Sequence, residues 1–495
     1  MERTVDVSQH RRARRRRAPA LLAAVLGVIA ALLLGLASPA GAATATGPVP
    51  GDPGAAGPSI TTFDPAVVGY TRSEFFLSGS ATAYAPAPGT TLGSDGKWQV
   101  TPTGAPAPFT TRLTIMRPSD PSAFDGTVIV EWLNVSNQSD SGPDWLLAHN
   151  EIIREGHAWV GVTAQAIGVN AAKALAPARY ASLSHPGDSF SYDIFTQAGE
   201  AVRDDPAILG GYQSQLLIAT GESQSAGRMV TYVDAVHPLE HLFDGYLVHS
   251  RGAAGAALSQ APQTAVPAPS TTLIRTDLDV PVFTVQAEDD VARYFSARQP
   301  DSAGLRTWEM AGTSHADQYT LGVGQPDTGD GTAAAQMLAR MLNPTNDPLP
   351  GILPPCPKPV NAGPHHWLLL AALHHLVVWA EGGQAPPTAP RIQFDGTAYA
   401  LDANGNVLGG VRSPQVDAPV ATLRGPGNEG GTGFCRLFGT TTPFSAAKLD
   451  ALYPNHGKFV SAWTKARNDA VKKGYLLPVD GAELQQAAAE STIGK

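Results

Sequence analysis

The stretch Gln215-Leu216-Leu217-Ile218-Ala219-Thr220-Gly221-Glu222-Ser223-Gln224-Ser225-Ala226-Gly227-Arg228-Met229 decides how this chain is to be read. Its first half is an apolar strand, its second half begins a helix, and between them sits the pentapeptide Gly221-Glu222-Ser223-Gln224-Ser225. A serine at the apex of a tight strand-to-helix turn is the pattern of a nucleophile elbow, usually written Gly-x-Ser-x-Gly. Glycine at the first flank and a small residue at the second let such a turn close without side-chain collision; here Ser225 replaces the second glycine. The N–H of Gln224 would open an oxyanion hole, and the positive end of the following helix would lie under Ser223. The pentapeptide alone fits a Ser/Gly loop capping a helix equally well, so the rest of the chain must decide.

A hydroxyl nucleophile needs a base, and the base needs an orienting carboxylate. On an α/β-hydrolase scaffold these follow in the order serine, acid, histidine. The strand Pro281-Val282-Phe283-Thr284-Val285-Gln286-Ala287 runs straight into Glu288-Asp289-Asp290. The strand ending in Trp308-Glu309-Met310 is followed by Ala311-Gly312-Thr313-Ser314-His315. His315 is therefore the expected base. Asp290 is the first choice for the acid, with Glu288 next, and the remaining acids are expected to be solvated turn residues. The second oxyanion N–H is expected from Asn134 or Val135, at the end of the apolar strand Gly126–Asn134. Simple strand termination is the plainer reading of that pair.

Gly69–Tyr84 reads as an antiparallel entry strand or hairpin; other strands are expected at Phe109–Met116, His157–Thr163 and Phe243–His249, with helices over Asp144–Glu155 and Asp193–Ala207. Thr44–Pro58 reads as a flexible lead-in and Gln165–Ser189 as irregular. Strands alternating with helices predict an α/β fold: a mostly parallel, doubly wound sheet with ligands at the carboxyl ends of the strands.

The sequence resembles a bacterial family of secreted α/β-hydrolase domain proteins. The likeness is carried by Gly126–Ser136, Ser191–Phe195, Gly221–Ala226, His249–Gly252, Gln286–Val291, Ala311–Asp317 and Gly410–Asp417, and it covers nearly all of the chain beyond the first 42 residues. It implies a serine hydrolase, with an esterase as the expected activity, and leaves the substrate open. Tannases and feruloyl esterases are a more distant likeness, through Trp379–Pro387. The expected reaction is hydrolysis of a small-molecule carboxylic ester through an acyl-enzyme, with no cofactor. An acyltransferase using the same three residues, or a non-catalytic binding protein on the same scaffold, are the alternatives.

Residues 1–42 read as a targeting segment. A basic stretch ending in Arg14–Arg17 precedes the apolar run Ala18–Leu36, and Ala40-Gly41-Ala42 fits a cleavage site. A retained membrane anchor is the competing reading. Removing this segment leaves 27 of the 34 basic and 41 of the 43 acidic residues, a net charge of −14 in place of −9. So acidic a chain is poorly suited to nucleic acid or anionic membrane surfaces. Export would place Cys356 and Cys435 in an oxidising space, where one disulfide is expected; two buried thiols are the alternative.

The chain divides on this reading into a core over 43–345 and a C-terminal elaboration over 346–495 packed on it. The apolar stretch Trp367–Trp379 reads as a packing helix, with His365, His366, His374 and His375 at its edges and no acidic or thiol partner close in sequence. No metal site is expected there. His249 and Arg251 follow a strand at the active edge. Arg251 would either meet a substrate carboxylate or serve a structural ion pair.

Overall fold

The computed structural model describes residues 42–430 and 433–495. The expected targeting segment, up to Gly41, lies outside the described residues. Nine strands form one sheet: β1 (Thr44–Thr46), β2 (Tyr70–Pro86), β3 (Val100–Pro118), β4 (Thr127–Trp132), β5 (Ala158–Val162), β6 (Leu216–Glu222), β7 (Gly245–His249), β8 (Val282–Ala287) and β9 (Leu305–Met310). Their order in space is β1-β2-β3-β5-β4-β6-β7-β8-β9. The pairings from β1 to β5 are antiparallel and those from β5 to β9 are parallel.

Every residue of β4, β5, β6, β7 and β8 is buried, as expected of strands covered on both faces. The helices are α1 (Pro143–Glu155), α2 (Ala166–Leu175), α3 (Ser191–Asp204), α4 (Gln224–Thr231), α5 (His237–Glu240), α6 (Glu288–Tyr294), α7 (Thr332–Leu342) and α8 (His365–Ala380). One face of the sheet packs Trp132, Tyr192, Phe195, Tyr232 and Phe243. The other packs Trp145, Trp159, Trp308 and the apolar body of α8. β5 and β6 leave β4 on opposite sides, so the switch point, where open α/β sheets bind ligands, lies at the carboxyl ends of β4 and β6.

Three expectations change. Thr44–Thr46 is not a loose lead-in, because it pairs in register with Phe76–Ser78. The strand expected at Phe109–Met116 is the inner part of a longer one, β3, which pairs along its length with β2, expected at Gly69–Tyr84, in one long hairpin. Part of the region read as irregular is α2, whose first N–H, from Ala166, is capped by Asp188 Oδ1 at 2.9 Å.

Two parts of the chain beyond residue 345 meet the same sheet. α8 packs against α1, β7 and β8, and Val411 pairs with Met310 as a continuation past β9. Cys356 and Cys435 form a disulfide, buried with Val360 and Phe438.

Candidate active site

Four strand ends supply the site. β6 turns into α4 at Ser223, whose φ of 60° and ψ of −114° are strained for a residue with a side chain. Gly221 makes that turn possible, since a Cβ there would stand 2.9 Å from the carbonyl oxygen of Ser225. Ser223 N–H donates to the carbonyl of His249 at 2.9 Å, which fixes the turn to β7. Asp290 sits in the first turn of α6, directly after β8, and His315 lies in the loop after β9.

The structure brings the three together. His315 Nε2 is 2.8 Å from Ser223 Oγ. His315 Nδ1 lies 2.9 Å and 3.0 Å from the two carboxylate oxygens of Asp290. A carboxylate only accepts, so Nδ1 carries the proton and the tautomer is set. Arg293 also pairs with Asp290. Burial would raise the Asp290 pKa, but His315 and then Arg293 outweigh it and hold it near 2. Ser223 is half-buried and His315 buried.

Glu288 forms no hydrogen bond with the His315 ring. Its carboxylate is fully enclosed and accepts from Gly312 N–H at 2.9 Å, Gly425 N–H at 3.1 Å and Arg424 Nε at 2.9 Å. It ties the histidine loop to the C-terminal part of the chain. Asp289 is half-buried, and its Oδ1 accepts from His315 N–H at 2.9 Å.

The oxyanion expectations separate. Gln224 is the first residue of α4, so its N–H is among the helix-end donors without an intrahelical partner. Asn134 N–H is already given to the carbonyl of Ser141 at 2.9 Å, which removes it as a donor. Val135 N–H makes no hydrogen bond among the described residues. The Asn134 side chain turns inward, its Nδ2 donating to Glu222 O at 3.0 Å and Glu222 Oε2 at 3.2 Å.

Arg251 is neither at the mouth nor in an ion pair. Its guanidinium is buried and donates to the carbonyls of Gly252 at 2.9 Å, Ala253 at 3.0 Å and Thr272. It holds the chain after β7.

Two further features had no local signal. Glu222, the residue before the serine, is buried, and its Oε1 stands 3.0 Å from His315 Nε2. Burial pushes its pKa up to about 7, against the pull of His315 and His249. On the other flank of Glu222 lies a buried polar line. Asp144 Oδ1 is 2.7 Å from His249 Nδ1, His249 Nε2 is 2.8 Å from His365 Nε2, and His365 Nδ1 is 2.9 Å from the carbonyl of Ser314. The carbonyl requires Nδ1–H on His365, which burial keeps neutral, so His249 Nε2 donates to it. Of the remaining edge histidines, His366 Nδ1 donates to the Leu147 carbonyl at 2.7 Å and His375 Nε2 to that of Gly474 at 2.7 Å. His374 Nδ1 finds an acidic partner across space, Glu151 Oε1 at 2.8 Å.

A mostly parallel nine-stranded sheet with a serine elbow after β6 and an acid and a histidine after β8 and β9 defines the α/β-hydrolase class. The chain belongs to the family described as "Alpha/beta hydrolase domain", whose sequence profile matches residues 42–486. No curated relative matches it in sequence.

Among solved structures it is similar to carboxyl esterase 2 of the mycorrhizal fungus Tuber melanosporum (13% identity, 45% of this chain and 79% of that one, TM-score 0.28). It is similar also to a thermostable esterase of Pseudomonas putida (12%, 54% and 80%, TM-score 0.27). A third is one of the fungal esterases of Rhizomucor miehei (15%, 48% and 74%, TM-score 0.24).

Proposed function

We propose that the protein is an exported serine esterase acting on small-molecule carboxylic esters. The observation that carries this reading is the His315 ring, with Ser223 Oγ at 2.8 Å on one nitrogen and Asp290 at 2.9 Å on the other. Ser223 Oγ attacks the ester carbonyl while His315 Nε2 takes its proton. Asp290 holds the ring and stabilises the imidazolium. The N–H groups of Gln224 and Val135 receive the oxyanion. His315 then gives its proton to the departing alkoxide, leaving an acyl group on Ser223. Water, deprotonated by the same nitrogen, releases the acid.

Export rests on the N-terminal sequence and agrees with a disulfide. Among the described residues no helix is long and apolar enough to cross a membrane. The C-terminal 346–495 segment serves on this reading as a wall that buttresses the histidine loop, through His365 and Arg424. The test is hydrolysis of p-nitrophenyl esters over a chain-length series, with Ser223→Ala alongside and fluorophosphonate labelling of both. Activity and labelling that vanish together in the variant support the reading. Activity surviving in Ser223→Ala, or no labelling of the native protein, overturns it.

A further inference from the structure

At the opposite end of the sheet from Ser223, two histidines and an aspartate converge. His237 and His241 are four residues apart, at the start of α5 and just past its end, and Asp279 precedes β8. Asp279 Oδ1 is 3.1 Å from His237 Nε2, and its Oδ2 is 3.3 Å from His241 Nδ1. One ligand atom from each residue lies within 4.8 Å of the others. We propose that His237, His241 and Asp279 form a site for a divalent transition-metal ion, with Zn²⁺ the ion that fits best.

Four observations carry this. Tetrahedral zinc with bonds of about 2.0–2.1 Å has ligand–ligand edges of about 3.3 Å, close to the two Asp279 separations, and the two imidazole ligand atoms lie within 4.8 Å of each other. The donor set is two imidazoles and one carboxylate, which suits zinc and not calcium or magnesium. His241 and Asp279 are more than half exposed, which leaves the fourth position to water. The fourth observation lies behind the ligands. The hydroxyl of Tyr246, itself fully buried, stands 2.9 Å from His237 Nδ1 and orients the ring as outer-sphere partners of metal ligands do.

His241 reaches Asp279 because its backbone is left-handed, with φ 47°. Asp279 pairs with no lysine or arginine among the described residues. That sets this cluster apart from Glu151, Glu155 and His374, where Arg154 already occupies Glu151. Lying at the amino-terminal ends of β7 and β8, the ion would pin two approaches to the sheet and take no part in ester cleavage.

The test is calorimetric titration of the purified, untagged, chelator-stripped protein with ZnCl₂, with Co²⁺ absorption as a check on tetrahedral geometry. One ion per chain is expected, together with a rise in Tm that MgCl₂ does not produce. His241→Ala and Asp279→Asn, both at exposed positions, should each weaken binding at least about tenfold and abolish the rise. His374→Ala should leave both unchanged. Absence of saturable binding, or binding equally tight in His241→Ala and Asp279→Asn, overturns the proposal.

Discussion

Glu222 Oε1 stands 3.0 Å from His315 Nε2, the nitrogen that also faces Ser223 Oγ at 2.8 Å. With Asp290 on Nδ1, the imidazole is held between two carboxylates. Burial would lower the His315 pKa, but Asp290 and then Glu222 raise it to about 9. A base must be unprotonated to accept the serine proton, so the proton shared by Glu222 and His315 has to leave before the reaction can start. Glu222→Gln removes one charge and keeps the shape. The acid limb of its kcat/KM profile should move to lower pH by about one unit or more. An unmoved limb, measured with p-nitrophenyl acetate, would mean that Glu222 does not share that proton.

Asp290 and Glu288 separate by experiment as they do in space. Asp290→Asn removes the acceptor that fixes Nδ1–H on His315, and kcat should fall on the order of 10³- to 10⁴-fold with little change in Tm. Glu288→Gln leaves the ring partners intact but loosens the bonds to Gly312, Gly425 and Arg424. Its Tm should fall, and below that temperature kcat should stay within about tenfold of the native value. Steady-state kinetics paired with thermal unfolding reads both. A larger loss of kcat in Glu288→Gln than in Asp290→Asn would reverse the assignment.

The order serine, acid, histidine was legible because β6 and β8 are largely apolar runs that end in polar residues, and the short strand ending at Met310 leads within five residues to His315. Ser223, Asp290 and His315 therefore announce themselves within a few residues. Glu222 does not: in sequence it is one more residue of the turn, and its partner His315 becomes a neighbour only once β6 and β9 share a sheet. Asp144, His249 and His365 come from three distant segments, so their line has no local trace. The same reason hid α2, whose N-terminal cap is Asp188, 22 residues from Ala166. The outer half of β3 was missed because Thr101–Pro108 is rich in Pro, Gly and Thr and lacks the alternation of a half-buried strand. Arg251 misled because sequence places it at the active edge, while only the fold shows three carbonyls enclosing its guanidinium.

The disulfide closes a loop across a sequence separation of 79 residues. In the chain-entropy account it stabilises by about 4 kcal/mol, and its surroundings, Val360 and Phe438, anchor the wall behind the histidine loop. Reduction, or Cys356→Ser with Cys435→Ser, should lower Tm by roughly 5 °C. Activity assayed well below the transition should persist, because the hydrogen bonds from His365 to Ser314 and from Arg424 to Glu288 remain. Scanning calorimetry with and without reductant checks this; an unchanged Tm would assign the pair no stabilising role.

The outer end of the sheet carries a buried charge cluster whose removal should cost more than any surface change. Arg112 on β3 donates to Asp140 Oδ2 at 2.6 Å, to the Ala56 carbonyl at 2.6 Å and to Tyr180 Oη at 3.2 Å. Glu74 lies 3.8 Å away and is shared with Arg179. Arg112 and Asp140 are both almost fully enclosed. The Arg112→Met variant fills much of the same space but leaves Asp140 charged and unpaired, which should cost about 3–5 kcal/mol in urea unfolding. Adding Asp140→Asn removes the stranded charge. The double variant should recover part of the loss, a coupling that two independent sites would not show. Equal and additive losses would mean that solvent or Thr163 already satisfies Asp140 without the guanidinium.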